Sequence, residues 1–253
     1  MPFVSVDGQQ VHYSQAGDAE PAVVFVHGAG GSGRVWHAQL SALGEQCHAV
    51  ALDLPGHGRS EGNPLTSIKE QAGFVARFLD ILGLDKIVLA GHSMGGAISL
   101  ELALSFPSRL QGLVLLSTGA RLRVNPQILQ ALERGEFPFA DAADLFASSA
   151  NPALVDLTWQ EMRAAAVSAF LADFQACDRF NRVNEIGSIQ MPVQIIAADQ
   201  DVMTPLKYSH FLHQGIAGSR LAVLKEAGHM GMVEKPAEVN QTIMDFLQEL
   251  SRQ

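Results

Sequence analysis

The segment Lys86-Ile87-Val88-Leu89-Ala90-Gly91-His92-Ser93-Met94-Gly95-Gly96-Ala97 decides the fold of this chain. Its residues 87–90 are apolar in succession, which predicts a short strand covered on both faces. A helix-compatible stretch follows at 97–106. The sequence therefore changes from strand to helix at Ser93, and a glycine stands two residues to either side of this serine in the pattern G-x-S-x-G.

The two flanking glycines have a steric explanation. A serine on so sharp a turn brings neighbouring backbone atoms very close, so a Cβ at Gly91 or Gly95 would clash. The turn lifts the Ser93 hydroxyl out of the sheet and directs the backbone N–H of Met94 toward the same place. Small residues also cluster by chance, and a glycine-rich turn with an incidental serine is the alternative. The position of Ser93 between a predicted strand and a predicted helix favours a nucleophilic serine over this alternative.

Composition limits the classes of protein to consider. The chain has 253 residues, 47% of them hydrophobic, which suits one α/β domain with a large core. A net charge of −9 without a basic cluster argues against a nucleic-acid partner. Cys47 and Cys177 show no paired or metal-like spacing, so neither a disulfide framework nor a zinc site is expected. Without a signal-peptide pattern or a run of roughly 18 apolar residues, we expect a cytoplasmic protein that does not insert into a membrane.

Predicted strands and helices alternate on both sides of the central segment. Asp7-Gly8 predicts the turn of an N-terminal hairpin. Ser67 and Glu70 have capping-box spacing at the start of an amphipathic helix that Gly83 closes. Further apolar runs predict strands at 22–26, 49–52, 113–116, 193–198 and 221–224, and a last helix at 237–250. This alternation predicts an α/β fold with a largely parallel sheet.

The alternation stops between Gly119 and Ser188, where no convincing strand is present. Such a stretch of roughly 70 residues exceeds any ordinary connection. We expect a helical cap at 119–188 over the carboxyl edge of a sheet, with the core formed by 1–118 and 189–253. Most of the cap's aromatic side chains are expected to form its own small core, and Phe137 and Trp159 are candidates for a pocket.

Two loops after the central serine supply candidate partners for it. A serine hydroxyl is unreactive at its own pKa and needs an adjacent base that a third group orients. Asp199 and Asp201 follow one predicted strand, and His229 follows the next, where sheets of this class place their sites. The order Ser, acid, His is the one expected after such a turn.

Of nine histidines, His229 has the position required of the base, directly after a strand and Gly228. His27 and His57 precede the serine and are expected to orient loops. His92 is expected to point away from the nucleophile by strand alternation.

A glycine-rich turn, His27-Gly28-Ala29-Gly30-Gly31, follows the predicted strand at 22–26. A phosphate-binding loop would require G-x-G-x-x-G opening a helix, or a Lys-Ser/Thr pair after the glycines, and neither is present. The other interpretation is a loop whose backbone amides face a reacting oxygen.

Four motifs in this order resemble those of the α/β-hydrolase family, and the resemblance covers nearly the whole chain. They are H-G-x-G at 27–30, D-x-x-G-x-G-x-S at 53–60, G-x-S-x-G at 91–95, and H-x-x-x-x-E-x-P at 229–236. The resemblance implies a core of eight mostly parallel strands with helices on both faces and a cap inserted after the sixth strand.

The resemblance also selects between the two aspartates. The family's acid loop often runs G-x-x-D-x-x-x-P, and alignment on Pro205 selects Asp201 and leaves Asp199 as loop support. Ala198 stands where the family usually has glycine. Some relatives carry the acid after the preceding strand, but here 117–119 is Ser-Thr-Gly.

The site implied by the resemblance has Ser93 as nucleophile, His229 as base and Asp201 as its orienting acid. The backbone N–H groups of Ala29 and Met94 would form the oxyanion hole. No cofactor or metal is implied. The residues expected around the substrate are Gly28, His92, Met230, Phe137 and Trp159.

The expected activity is hydrolysis of small-to-medium apolar carboxylic esters through an acyl-enzyme, by a monomer or homodimer. The same triad serves lactonases, carbon–carbon bond hydrolases of ring-cleavage products and cofactor-free perhydrolases. Carbon–carbon hydrolases often have Trp after the catalytic His, where this chain has Met230. A hydrolase-like ligand receptor is the non-enzymatic alternative. Arg121 and Arg123 at the cap entrance could bind a substrate carboxylate or remain solvated.

Overall fold

The computed structural model describes residues 2–139 and 141–252, which form one eight-stranded sheet with helices on both faces. The strands are β1 (Phe3–Val6), β2 (Gln9–Ala16), β3 (Ala22–Val26), β4 (His48–Leu52), β5 (Ile87–His92), β6 (Leu110–Leu116), β7 (Val193–Ala198) and β8 (Arg220–Leu224). The helices are α1 (His37–Leu43), α2 (Ile68–Leu82), α3 (Met94–Ser105), α4 (Pro126–Glu133), α5 (Pro152–Ala164), α6 (Val167–Arg179), α7 (Leu206–Gly215), α8 (Gly231–Glu234) and α9 (Pro236–Leu250).

The strand order is β1-β2-β4-β3-β5-β6-β7-β8. The two N-terminal strands pair antiparallel, as predicted from the Asp7-Gly8 turn, and β2 is also antiparallel to β4. All pairings from β4 to β8 are parallel. The carboxyl ends of six strands therefore lie at one edge of the sheet, and β5 lies near its middle.

The central strands are continuous apolar runs because helices cover both of their faces. In β5, Ile87 and Leu89 pack with α2 and α3, whereas Val88 and Ala90 pack on the opposite face with α1 and α9. Every residue of β5 is buried. Alternate side chains of a strand point to opposite faces, so such a strand has no polar side.

The capping residues of α2 confirm the helix predicted from their spacing. The Ser67 hydroxyl accepts the backbone N–H of Glu70 at 3.2 Å and donates to its carboxylate at 2.9 Å. Gly83 ends the helix in the left-handed conformation, with φ of 67°. Among the described residues, no helix is long and apolar enough to cross a membrane.

Residues 117–192, which we call the insertion, connect β6 to β7. Helices α4, α5 and α6 lie in the insertion, and its described part contains no strand beyond an isolated bridge between Arg121 and Asn181. Its aromatic rings contact one another, and Phe137 and Phe170 have centroids 5.4 Å apart. The helical content agrees with the sequence, while the division into a core and a cap at 119–188 stays a prediction.

Candidate active site

Ser93 occupies a strained turn between β5 and α3. Its φ is 53° and its ψ −114°, values that an L-residue rarely adopts. The Ser93 N–H donates to the Leu116 carbonyl at 3.0 Å, and the Thr118 hydroxyl donates to the Ser93 carbonyl at 2.7 Å. Helix α3 begins at Met94, three residues earlier than the sequence predicted, so the serine directly precedes the first helical residue.

The flanking glycines are required by backbone atoms that cannot move aside. A Cβ at Gly91 would overlap the carbonyl of Gly95, and a Cβ at Gly95 would overlap the carbonyl of Val26. The glycines thus allow the backbone of β5 to contact the start of α3, and the start of α3 to contact the end of β3. This approach holds the Ser93 backbone in its unusual conformation.

His229 and Asp201 lie on the loops after β8 and β7, and their side chains are joined. His229 Nδ1 is 2.9 Å from Asp201 Oδ2. The other carboxylate oxygen of Asp201 accepts the backbone N–H groups of Met203 at 2.9 Å and Thr204 at 2.8 Å, and the Thr204 hydroxyl donates to Oδ2 at 2.8 Å. The Asp201 carboxylate is thus held by four donors.

This environment favours the ionised carboxylate. Burial alone would raise the pKa of Asp201, but the His229 ring and the donors of Thr204 outweigh it and hold that pKa well below its usual range. An ionised carboxylate only accepts hydrogen bonds, so His229 Nδ1 carries the hydrogen. His229 Nε2 is then free to accept a proton.

The second aspartate of this loop has another role. Asp199 Oδ1 accepts the backbone N–H of Glu226 at 2.9 Å, and Lys225 Nζ lies 3.6 Å from Asp199 Oδ2. Asp199 therefore links the loop after β7 to the loop after β8. The structure places Asp201, and not Asp199, next to His229.

Glu234 holds the loop that carries His229. Its carboxylate accepts the backbone N–H of Gly228 at 3.0 and 3.1 Å and that of Ala147, in the insertion, at 2.9 Å. The Met230 N–H donates to the Leu145 carbonyl at 3.2 Å. The closing H-x-x-x-x-E-x-P motif thus joins the histidine loop to the insertion.

His92 supports His229 from below, a role that strand alternation did not suggest. Its Nε2 donates to the His229 carbonyl at 2.9 Å, and the two rings have centroids 4.6 Å apart. Burial, together with the nearby His229 ring, lowers the pKa of His92 to about 3. His92 is therefore neutral at neutral pH, and it lines the same cavity as Ser93.

The glycine-rich loop after β3 is fixed by hydrogen bonds at both ends. His27 Nδ1 donates to the Gly28 carbonyl at 2.8 Å, and its Nε2 accepts the Leu54 N–H at 3.1 Å. The Gly30 N–H donates to Asp173 Oδ2, on α6, at 2.8 Å. Ala29, between these anchors, lines the cavity. Burial and the charge of His57 lower the pKa of His27 to about 4, so this ring is also neutral.

The D-x-x-G-x-G-x-S motif is structural. The Asp53 carboxylate accepts the backbone N–H groups of Gly33 at 2.7 Å and Arg59 at 2.9 Å, and His12 Nδ1 lies 2.8 Å from it. A Cβ at Gly58 would overlap this carboxylate. The motif therefore ties the loop after β4 to the loop after β3.

A cavity of about 350 Å³ lies over Ser93 and His229. Its apolar wall comes mostly from the insertion, with side chains of Leu122, Val124, Ile128, Phe139, Leu145, Met162 and Phe174. Among the described residues, Arg123 is the one lysine or arginine that lines it.

Three of the residues predicted around the substrate line this cavity, namely Gly28, His92 and Met230. Phe137 and Trp159 are not among its lining residues, and their rings instead contact each other edge-on at 5.4 Å in the core of the insertion. Phe139 and Met162, two and three residues further along the chain, take the lining positions. Without strand or helix boundaries in this region, the sequence did not indicate which of these side chains turn inward.

Two functional candidates escaped the sequence analysis. Thr204 donates to Asp201, and Asp173 accepts Gly30 N–H. Asp173 carries a signal that could have found it, because it lies on the apolar face of α6 between the buried Phe170 and Cys177. A charged residue at that spacing is buried only if it is paired. Within residues 2–139 and 141–252, no group of three or more His, Cys, Asp or Glu side chains could hold a metal ion.

We expect the free energy of unfolding to fall as the pH drops from 6.5 toward 4. His27 and His92 stay neutral in the folded protein but bind protons when unfolded, so stability rises with pH in this window. His92 faces His229, Asp201 and His27. Its contribution to the loss of unfolding free energy between pH 7.5 and pH 5 is about 2 kcal/mol. Urea unfolding of the wild type and His92→Asn at these two pH values tests this, and the variant should show the smaller change. Equal changes in the two proteins would contradict the assignment.

Residues 23–242 match the model of the α/β-hydrolase family. The chain belongs to the α/β-hydrolase family, and it is a hydrolase enzyme of that fold.

Individual relatives span nearly the full length of the chain. A candidate carbamate hydrolase, RutD, of Pseudomonas savastanoi is 30% identical over 255 residues, which cover 94% of this chain and 97% of that protein. A solved thermophilic esterase is 32% identical with a TM-score of 0.85, covering 98% of this chain and 97% of its own. The solved structure of Est816, described as an N-acyl homoserine lactone degrading enzyme, is 26% identical with a TM-score of 0.83. The match covers 97% of this chain and 100% of the Est816 chain.

Proposed function

We propose that this protein is a serine hydrolase that cleaves carboxylic esters of small-to-medium apolar substrates through an acyl-enzyme. The observation that carries the proposal is the joint position of three groups. Ser93 stands on a strained turn at a mainly apolar cavity, His229 lines the same cavity, and an ionised Asp201 holds the His229 ring from behind. This is the arrangement that activates a serine hydroxyl.

The reaction runs in two halves on these groups. Ser93 Oγ attacks the ester carbonyl while His229 Nε2 takes its proton, and Asp201 stabilises the imidazolium. The C–O bond to the alcohol then breaks, and His229 gives its proton to the departing alkoxide. In the second half water attacks the acyl-enzyme, His229 takes the water proton, and the acid leaves as Ser93 Oγ is reprotonated.

The oxyanion of each tetrahedral intermediate would be stabilised by the backbone N–H groups of Ala29 and Met94. Met94 is the first residue of α3, so its N–H has no partner within the helix. Ala29 lies on the loop after β3, which lines the same cavity as Ser93. Each such donor contributes roughly 3–4 kcal/mol to transition-state stabilisation.

The proposed substrate class follows from the cavity. A volume of about 350 Å³ is at the small end of ligand sites, and an apolar wall selects alkyl or aryl groups. Much of this wall belongs to the insertion, which supports its role as a cap at 119–188. The esterase and the lactone-degrading relative have the same fold, so a cyclic ester is the second substrate class to consider.

The test is hydrolysis of p-nitrophenyl acetate, butyrate and octanoate, with a γ-lactone and an N-acyl homoserine lactone assayed in parallel. We expect turnover of the aryl esters with a maximum at the shorter acyl chains. Exclusive turnover of the lactones would replace the proposal with a lactonase. Labelling of Ser93 by a fluorophosphonate without turnover of any ester or lactone would contradict it and favour the receptor or carbon–carbon hydrolase alternative.

A further inference from the structure

An aspartate–histidine pair is completely buried between the insertion and the core. The side chains of Asp173, on α6, and His57, after β4, are 0% and 1% exposed, and Asp173 Oδ2 is 2.8 Å from His57 Nε2. The same Oδ2 accepts the Gly30 N–H at 2.8 Å. Asp173 Oδ1 accepts the side-chain amide of Gln71, on α2, at 3.3 Å. One carboxylate thus joins three separate segments of the core to the insertion.

Two hydrogen bonds fix the orientation of the His57 ring. His57 Nδ1 lies 3.0 Å from the Pro55 carbonyl, which only accepts, and Nε2 faces the Asp173 carboxylate. Nδ1 therefore donates to the Pro55 carbonyl, and Nε2 is paired with the Asp173 carboxyl group. Burial alone would lower the pKa of His57, but the charge and the hydrogen bond of Asp173 outweigh it and raise that pKa.

The hydrogen bond from Gly30 to Asp173 lies on the loop that would bind the oxyanion. Gly30 directly follows Ala29, and its φ of 63° belongs to the left-handed region. A Cβ at Gly30 would overlap the ring of Phe170, which lies one turn before Asp173 on α6. The helix therefore covers Gly30 with an apolar ring and holds its N–H with a carboxylate.

We propose that Asp173 is a positioning residue for the oxyanion hole, fixing the Ala29 N–H from the insertion through its hydrogen bond to Gly30. The inference rests on the proposed function, because it assigns Ala29 to the oxyanion. A buried carboxylate is costly unless fully paired, and here its partners include a backbone N–H of the loop itself. The insertion therefore helps to build the catalytic machinery as well as the wall of the pocket.

Asp173→Asn is the decisive variant. An amide offers one accepting oxygen, so it cannot accept from both Gly30 and Gln71 as the carboxylate does. We expect kcat for p-nitrophenyl butyrate to fall about 10- to 100-fold with KM within about threefold, less than for loss of a complete oxyanion donor. The rate of Ser93 phosphonylation should fall in parallel, because that transition state uses the same donors.

Two further variants separate positioning from stability. Glu101→Gln breaks another ion pair between the core and the insertion, in which Glu101 binds Arg182 at 2.8 and 3.1 Å without contacting the loop. Its kcat should stay within about threefold of the wild type. The double variant Asp173→Asn/Gln71→Glu exchanges carboxylate and amide, so that the new amide oxygen can face Gly30, and it should recover most of the lost kcat.

Three results would overturn the inference. They are a folded Asp173→Asn protein with kcat within threefold of wild type, an equal loss in Glu101→Gln, and a double variant below about a tenth of the wild-type kcat. If Asp173→Asn does not fold, the double variant, which keeps the buried negative charge, decides the question. Failure of the proposed function is a separate result, because it would appear as absent ester turnover in the wild type.

Discussion

Replacement of Ser93 by alanine is expected to lower kcat/KM for p-nitrophenyl butyrate by at least about three orders of magnitude. The reason is that the acyl-enzyme requires an oxygen nucleophile at this position, and no other group can take its place on the strained turn. The backbone should be unaffected, since the conformation of residue 93 is imposed by Gly91, Gly95 and the hydrogen bonds of its peptide groups.

A matched control lies on the helix that begins beside the nucleophile. Ser105→Ala removes a hydroxyl from the end of α3 that bonds Glu101 at 3.4 Å, and it should leave kcat/KM within about twofold. Mass spectrometry after fluorophosphonate treatment should find the adduct on Ser93 in the wild type and no adduct in Ser93→Ala. Retention of more than about a tenth of the activity in Ser93→Ala would remove Ser93 from the mechanism.

Asp201→Asn is expected to lower kcat by about four orders of magnitude while preserving the fold of its loop. The new amide oxygen can still accept the N–H groups of Met203 and Thr204. The amide nitrogen would then face His229 Nδ1, which must become an acceptor, so the ring hydrogen moves to Nε2. In that tautomer His229 donates toward Ser93 and cannot take its proton.

Asp199→Asn is the matched control in the same loop. Its new amide can still accept the Glu226 N–H, and only the longer contact with Lys225 is weakened. Activity within about threefold of wild type is expected, because surface pairs of this kind contribute little. If the Asp199 variant lost as much activity as the Asp201 variant, the assignment of the acid would have to be exchanged between the two aspartates.

The three proposed catalytic residues come from segments that are far apart in the sequence. Ser93, Asp201 and His229 come from the ends of β5, β7 and β8, which are parallel and pair in the order β5-β6-β7-β8. Two of these residues have a fixed neighbour: Thr204, on the same loop, donates to the Asp201 carboxylate, and His92, at the end of β5, donates to the backbone carbonyl of His229. The order and parallel direction of these strands therefore bring the three residues to one edge of the sheet.

Local patterns in the sequence determined much of this architecture. Apolar runs predict the strands because a parallel strand covered on both faces has no polar side, as β5 shows. The glycines around Ser93 indicate its turn because a Cβ there would meet backbone atoms. The capping pair Ser67–Glu70 and the terminal Gly83 predict α2 to the residue, since these preferences act within one turn of the chain. Such features depend on neighbours in the sequence.

Other features of the site could be seen only in the tertiary structure, because they depend on contacts between residues that are distant in the sequence. The insertion supplies the cavity wall through Phe139 and Met162, where the sequence predicted Phe137 and Trp159, because inward direction is set by packing among helices. The contact of Asp173 with Gly30 spans 143 residues, and no local pattern can indicate such a pairing. Folding also sets the pKa values of the buried histidines. Burial lowers the pKa of His27 and His92, whereas the charge and the hydrogen bond of Asp173 outweigh burial and raise the pKa of His57. The sequence thus determined which groups reach the active edge of the sheet, and tertiary packing determined their orientation and charge, since both depend on partners brought close only by folding.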